Sequence, residues 1–180
     1  AGQLADLVVL DDIEHVRIAR TMKRGQWALP DDTKPLPFTA TRVQQHASVT
    51  DLQLPLPMGA ANVIGIQPNH IETDHLTFPV VATQNFEADC QRDVLKMVVI
   101  ERHHNTGKVG VGLVHGFGLK HGAIAGTVAH DAHNIVAVGT SDKAILRAVE
   151  QITRDNGGIA VVDDQQVLAT MPLAIGGLLS

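Results

Sequence analysis

A chain of 180 residues, 44% hydrophobic and 18% charged, can bury the core of one compact domain with a smaller appendage, which excludes global disorder. A net charge of −5 without any run of Lys or Arg argues against a nucleic-acid surface, because phosphates need clustered cations. A single cysteine excludes an intrachain disulfide, and no apolar stretch approaches the roughly 20 residues that span a bilayer, so a cytoplasmic protein without a membrane is expected.

Aromatic residues are scarce (four Phe, one Trp, no Tyr), so the core must come from Val, Ile, Leu and Ala, which suits strands buried on both faces. The opening pattern predicts three short strands, over 4–10, 16–22 and 26–29, with Arg24-Gly25 as a turn. Three strands cannot bury both faces alone. Their partners are therefore expected either in the rest of the chain or in sequence outside it. The second carries weight, because the chain starts in the middle of a pattern. Prolines at 30, 35, 37, 55 and 57 predict a connector over 30–38 and a linker or arm over 31–60, with a short strand or arm within 43–54.

From Ala61 the pattern becomes α/β. Strands are predicted over 62–67, 75–84, 94–102 and 108–114, the last two as a hairpin across the turn at Asn105-Thr106-Gly107. Pro79 marks an edge strand or a bulge. Gly110 and Gly112 leave one face of their strand bare, so close packing against it is expected. Residues 115–121 suggest a helical turn, 123–128 are ambiguous between helix and strand, and 134–138 read as a strand. The best helix lies over 141–156, capped by Ser141 or Asp142 and stopped at Gly157; a hairpin over 159–162 and 166–170 turns at Asp163-Asp164. The fold class is thus α/β, an α+β mixed sheet with flanking helices over 61–180, behind an N-terminal unit of strands over 1–30.

Ten histidines are a heavy loading, and six fall between His103 and His133. The candidate site is Ala129-His130-Asp131-Ala132-His133-Asn134, where an apolar segment ends and a strand begins, as binding loops of α/β proteins do. On a helical turn His130 and His133 face the same way and could grip one metal or polar ligand; two ligands leave a zinc site incomplete, with His115, His121, His103 or His104 as a third. The alternative is that the pair only bonds local backbone. The His115-Gly116-Phe117-Gly118 segment lacks the spacing of a phosphate loop and points to close approach to another surface. Cys90 and the clusters Glu14-His15, Glu72/Asp74/His75 and Glu101–His104 carry no diagnostic spacing; each cluster reads as a solvated loop or hairpin end. Taken alone, the residues do not assemble a complete active site.

Two stretches resemble known families. Gly2-Gln3-Leu4-Ala5-Asp6-Leu7-Val8-Val9-Leu10-Asp11, followed by Met22-Lys23-Arg24-Gly25, resembles the segment by which amidohydrolase-superfamily chains leave the catalytic barrel and re-enter their small β-sandwich. Residues 109–125, leading into Val128-Ala129-His130-Asp131-Ala132-His133-Asn134 and on to Gly139, resemble the C-terminal domain of bacterial adenine deaminases, as does the tail 171–178; Ala132 stands where that family has serine. The resemblance implies the C-terminal part of an enzyme that hydrolyses adenine to hypoxanthine and ammonia in purine salvage. A hydroxide on a divalent metal, manganese or iron, would attack C6 of the purine. The metal ligands would sit on a barrel absent from this chain, so no catalytic residue carries over. His130, Asp131, His133 and Asn134, with His115 and His121, remain candidates for binding metal or substrate near the barrel mouth. The fragment alone is expected to be inactive, and the partners implied are adenine, the missing barrel portion and a second copy in a homo-oligomer. The rival expectations are an assembly module, motivated by the bare glycine face and the apolar tail, and a free-standing histidine-rich metal-binding protein.

Overall fold

The computed structural model describes residues 2–28 and 42–179. The chain divides into two compact units, residues 1–39 and 40–180. The expected connector at 30–38 lies outside the described residues.

The first unit is an antiparallel sheet of β1 (Leu7–Asp12), β2 (Arg17–Lys23) and β3 (Gln26–Trp27), in that order. Carboxylates close its turns. Asp12 accepts the N–H groups of Glu14 and His15, and Asp6 accepts both the Arg24 N–H and the Lys23 ammonium at 2.6 Å. Arg20 stacks over the Trp27 ring at 4.4 Å. Successive side chains of a strand point to opposite faces. Leu7, Val8, Val9 and Leu10 are nevertheless all 37–58% exposed, so both faces of this sheet are apolar and open. Three strands do form, with β1 starting three residues later than the pattern indicates.

The second unit is a mixed sheet with strand order β12-β11-β9-β10-β7-β8-β4-β5. Its strands are β4 (Gly59–Ile66), β5 (Thr73–Val80), β6 (Ala88–Asp89), β7 (Val94–Ile100), β8 (Val109–His115), β9 (Ala123–Gly126), β10 (Ile135–Gly139), β11 (Gly158–Val162) and β12 (Val167–Pro172), with β6 paired beside β7. Neighbours are antiparallel except β4 and β8. The β7–β8 and β11–β12 hairpins appear as expected, Pro79 lies on the edge strand β5, and the ambiguous segment 123–128 resolves as β9.

One α-helix, α1 (Asp142–Arg154), connects β10 to β11, so the flanking helices of the sequence reading reduce to one. Ser141 caps it by accepting the Ala144 N–H, and Asn156 and Gly157, both at positive φ, end it. Its apolar stripe Ile145, Ala148, Val149 and Ile152 is fully buried on Ala123, Ala125, Ala137 and Ala160 of the sheet. Alanines let the helix approach closely; a Cβ on Gly139 would already meet Ala123 and Ile145 at 2.7 Å. Burying each large aliphatic side chain here contributes about 1.5–3 kcal/mol.

Three further expectations change. No strand forms within 43–54: a 3₁₀ turn, Val49–Leu52, sits there, and Val43 and Leu52 plug the helix–sheet core, so 42–60 packs into the second unit. Residues 116–121 form bends and irregular backbone rather than a helical turn, because Gly116 and Gly118 take positive φ. Nothing lies within 4 Å of a Cβ built on Gly112, and Gly110 meets only its neighbour's carbonyl at 3.9 Å; the bare face borders an open groove of about 360 Å³ instead of a packed surface. Among the described residues no helix is long and apolar enough to cross a membrane.

Candidate functional site

The face of the sheet that turns away from α1 is the open one. On it Phe117, Ile124, Val128, Val136, Val138 and Ile159 line an apolar cavity of about 210 Å³. The β9–β10 register pairs Gly126 with Val136, so the residues between form a long hairpin loop at the rim of this cavity, and that loop carries the candidate cluster.

The loop is tightly determined. The His133 N–H donates to the Ala129 carbonyl at 2.7 Å and the Ala132 N–H to the His130 carbonyl at 2.9 Å. Asp131 (φ 65°) and His133 (φ 49°) are left-handed, each costing of order 1–3 kcal/mol unless surrounding contacts impose it. Those contacts come from the end of β7. Arg102 Nε donates to the His133 carbonyl at 2.5 Å, and His103 Nε2 donates to the Ala132 carbonyl at 2.9 Å, which fixes the His103 proton on Nε2.

The helical turn that would aim His130 and His133 together does not form, because two left-handed residues reverse the chain. His130 and Asp131 point outward, with side chains 96% and 91% exposed, and bond each other at 3.2 Å. His133 turns inward. Its Nδ1 and the adjacent Asn134 Oδ1 are buried polar atoms without a hydrogen-bond partner among the described residues. Such orphaned groups are uncommon and each costs roughly 1–3 kcal/mol.

The other candidates lie elsewhere. His115 pairs with Val94 at one end of β7 and Ile135 with Ile100 at the other, so His115 stands about 20 Å from the loop along the strand. Its Nδ1 donates to the Asp93 carbonyl and its ring meets Phe78. His121 precedes the end of β9 that pairs with Gly139, also away from the loop. Gly116 lies beside Ile66 of the paired strand β4, with an added Cβ only 3.1 Å from Ile66 Cβ. Asp93 anchors the segment His115–Gly118 by accepting the Gly116 and Gly118 N–H groups. His103 alone of the remaining histidines bonds the loop. Among the described residues no three His, Cys, Asp or Glu side chains converge as a metal site, so the divalent metal implied by the resemblance finds no ligand set among them.

Sequence reasoning missed Arg102, reading it with its neighbours as a solvated loop or hairpin end. Arg102 is only 9% exposed. Glu101 organises the turn before β8. The Thr106 N–H foremost, then that of His104, with the Thr106 hydroxyl and the His103 N–H, hold its carboxyl down to about 2 from an ordinary 4.5. A lowered carboxyl stabilises the fold above its unfolded value and loses that contribution as acid protonates it. The turn, and with it the His103 contact to the loop, is therefore expected to hold above pH 4.5 and to loosen as pH falls toward 2. NMR titration of the Glu101 carboxyl carbon checks this, and a midpoint near 4.5 would refute it.

Comparison with known proteins decides the family. Residues 70–180 match the family described as "Adenine deaminase C-terminal domain". The chain belongs to the adenine deaminase C-terminal domain family. Over its whole length it is 87% identical to the adenine deaminase of Lactiplantibacillus plantarum and 44% identical to that of Listeria innocua, spanning 32% and 33% of those proteins. It is 42% identical over 99% of its length to adenine deaminase 2 of Carboxydothermus hydrogenoformans, spanning 33% of it. The chain thus covers about a third of the length of the curated relatives it matches, as their C-terminal portion.

Proposed function

We propose that this chain is the C-terminal part of a cytoplasmic adenine deaminase of purine salvage, and that its 127–134 loop meets the active site formed by the rest of the enzyme. The enzyme converts adenine and water to hypoxanthine and ammonia with a divalent metal, manganese or iron, that the N-terminal barrel portion holds. The observation that carries the reading is the pair of orphaned atoms, His133 Nδ1 and Asn134 Oδ1, on a loop whose backbone is locked while the side chains at its tip, His130 and Asp131, are exposed and bond only each other among the described residues. A neutral imidazole nitrogen either donates or accepts, and an amide oxygen accepts, so the two suit a ligand or side chain presenting N–H groups. The open apolar sheets of both units support burial against the missing portion.

In the full-length enzyme, His133→Ala and His130→Ala are expected to lower kcat/KM for adenine on the order of tenfold to a hundredfold, as misplacement near an active site does. Kinetics and metal content unchanged in both variants would sink the role. The 180-residue chain alone is expected to show no turnover, and measurable deamination by it would overturn the assignment of the chemistry to the missing portion.

Subunit assembly is a second reading, favoured by the exposed Leu168 and Met171 of the edge strand β12, which carries no charged residue along Val167–Pro172. Sedimentation of the full-length enzyme tests it, with a homo-oligomer expected and a monomer across the micromolar range counting against it.

A further inference from the structure

Both feet of the 127–134 loop are tied to one other segment, the turn near the C-terminus. That turn closes on itself, the Ile175 N–H donating to the Leu179 carbonyl at 2.9 Å and the Leu179 N–H returning to Ile175 at 3.2 Å. At the β9 foot, Thr127 is fully buried. Its hydroxyl donates to the Gly177 carbonyl at 2.5 Å and accepts the Gly158 N–H at 2.8 Å. At the β10 foot the tie is indirect. Arg102 reaches the His133 carbonyl through Nε and the Gly176 carbonyl through Nη2 at 3.0 Å. Gly177 lies close to the same guanidinium: a Cβ there would stand 3.1 Å from Nη1 and 3.2 Å from Cζ.

Arg102 makes no ion pair with any described carboxylate. Burial disfavours its charge and pushes its pKa down from the ordinary value, yet a guanidinium stays protonated. A cation kept in such a place without a counter-charge is a poor space filler. Its worth lies in the rigid fork of donors, which can hold two carbonyls at a fixed separation where a lysine's single nitrogen cannot.

We propose that Arg102 is a positioning residue, a latch through which the tail turn 175–179 holds the 127–134 loop in its working shape. The proposal deepens the reading given above and rests on that loop reaching the active site. Thr127 and Arg102 then act as a pair, one at each foot, so that loss of the tail frees both.

The test uses the full-length enzyme, with amide exchange followed by mass spectrometry alongside kinetics. Arg102→Met keeps the bulk and removes the donors. It is expected to speed exchange severalfold in both 129–134 and 173–179 while 94–100 in the core stays protected. A chain ended after Leu173 is expected to speed exchange in 129–134 likewise. kcat/KM for adenine falls on the order of tenfold or more, through whichever of kcat and KM His133→Ala moves, and Arg102→Lys recovers part of the loss. Exchange at 129–134 unchanged in Arg102→Met overturns the latch; where that variant does not accumulate folded, the truncation decides by the same readout. A fall in kcat/KM through the other parameter also counts against it. Should both segments loosen while His130→Ala and His133→Ala leave kinetics and metal content untouched, the latch stands and the role proposed for the loop is what fails.

Discussion

Asp142→Ala is expected to cost the chain about 3–5 kcal/mol of stability, the usual penalty for stripping one partner from a buried ion pair. Lys96 is fully buried in β7, and its ammonium donates to Asp142 Oδ1 at 2.5 Å, the Leu52 carbonyl at 2.7 Å and Asn85 Oδ1 at 2.9 Å. All three protons are thus placed. Asp142 in turn accepts the Asn85 amide at 2.8 Å, while its own N–H donates to Glu87. One ammonium therefore ties β7, the 3₁₀ turn, the 85–87 loop and the first turn of α1. Removing the carboxylate strands a charge with no route to water. Adding Lys96→Met to Asp142→Ala is expected to recover much of the loss, because removing both charges also removes their desolvation cost. Urea unfolding of the two singles and the double forms the cycle, and a single-site cost below about 1 kcal/mol would show the pair to be hydrated.

Gly158→Ala should destabilise by about 2–6 kcal/mol, adding backbone strain of order 1–3 to overpacking of similar size. Gly158 holds φ +140°, which side chains rarely adopt, and an added Cβ would run into the Met171 carbonyl and lie 3.1 Å from Pro172 Cα. The obstruction is backbone, so β11 and β12 must part. Gly112→Ala is the matched control. It has no positive φ and nothing within 4 Å, and alanine there is expected to be neutral or stabilising by up to about 1 kcal/mol. Equal losses at the two positions would mean that the steric argument is wrong.

How much of this was legible follows from range. Local signals located the helix, because Ser141 and the spacing of Ile145, Val149 and Ile152 act within a few residues. The β7–β8 hairpin and the edge position of Pro79 were legible for the same reason. Long-range packing was not. Nothing adjacent to Val43 or Leu52 announces that they fill a core whose other members begin at Val98. The loop was found by residue type, yet its geometry was misjudged, because a three-residue spacing implies one face only on a helix and Asp131 and His133 are left-handed. Arg102 escaped notice since it stands beside Glu101, His103 and His104, and polar neighbours look like a solvated turn whether or not one of them turns inward.

The β4–β5 hairpin joins the sheet through a short parallel ladder, Ile64 with Val114 and Gly65 with His115. Those partners are far apart in sequence, whereas β7–β8, β9–β10 and β11–β12 each pair strands that are close along the chain. Distant pairings form slowly because loop closure precedes any reward from contact. Assembly of the second unit is therefore expected to run from local hairpins outward, with the docking of β4 on β8 a late step. Substitutions confined to that ladder are expected to speed unfolding while leaving the refolding rate nearly unchanged.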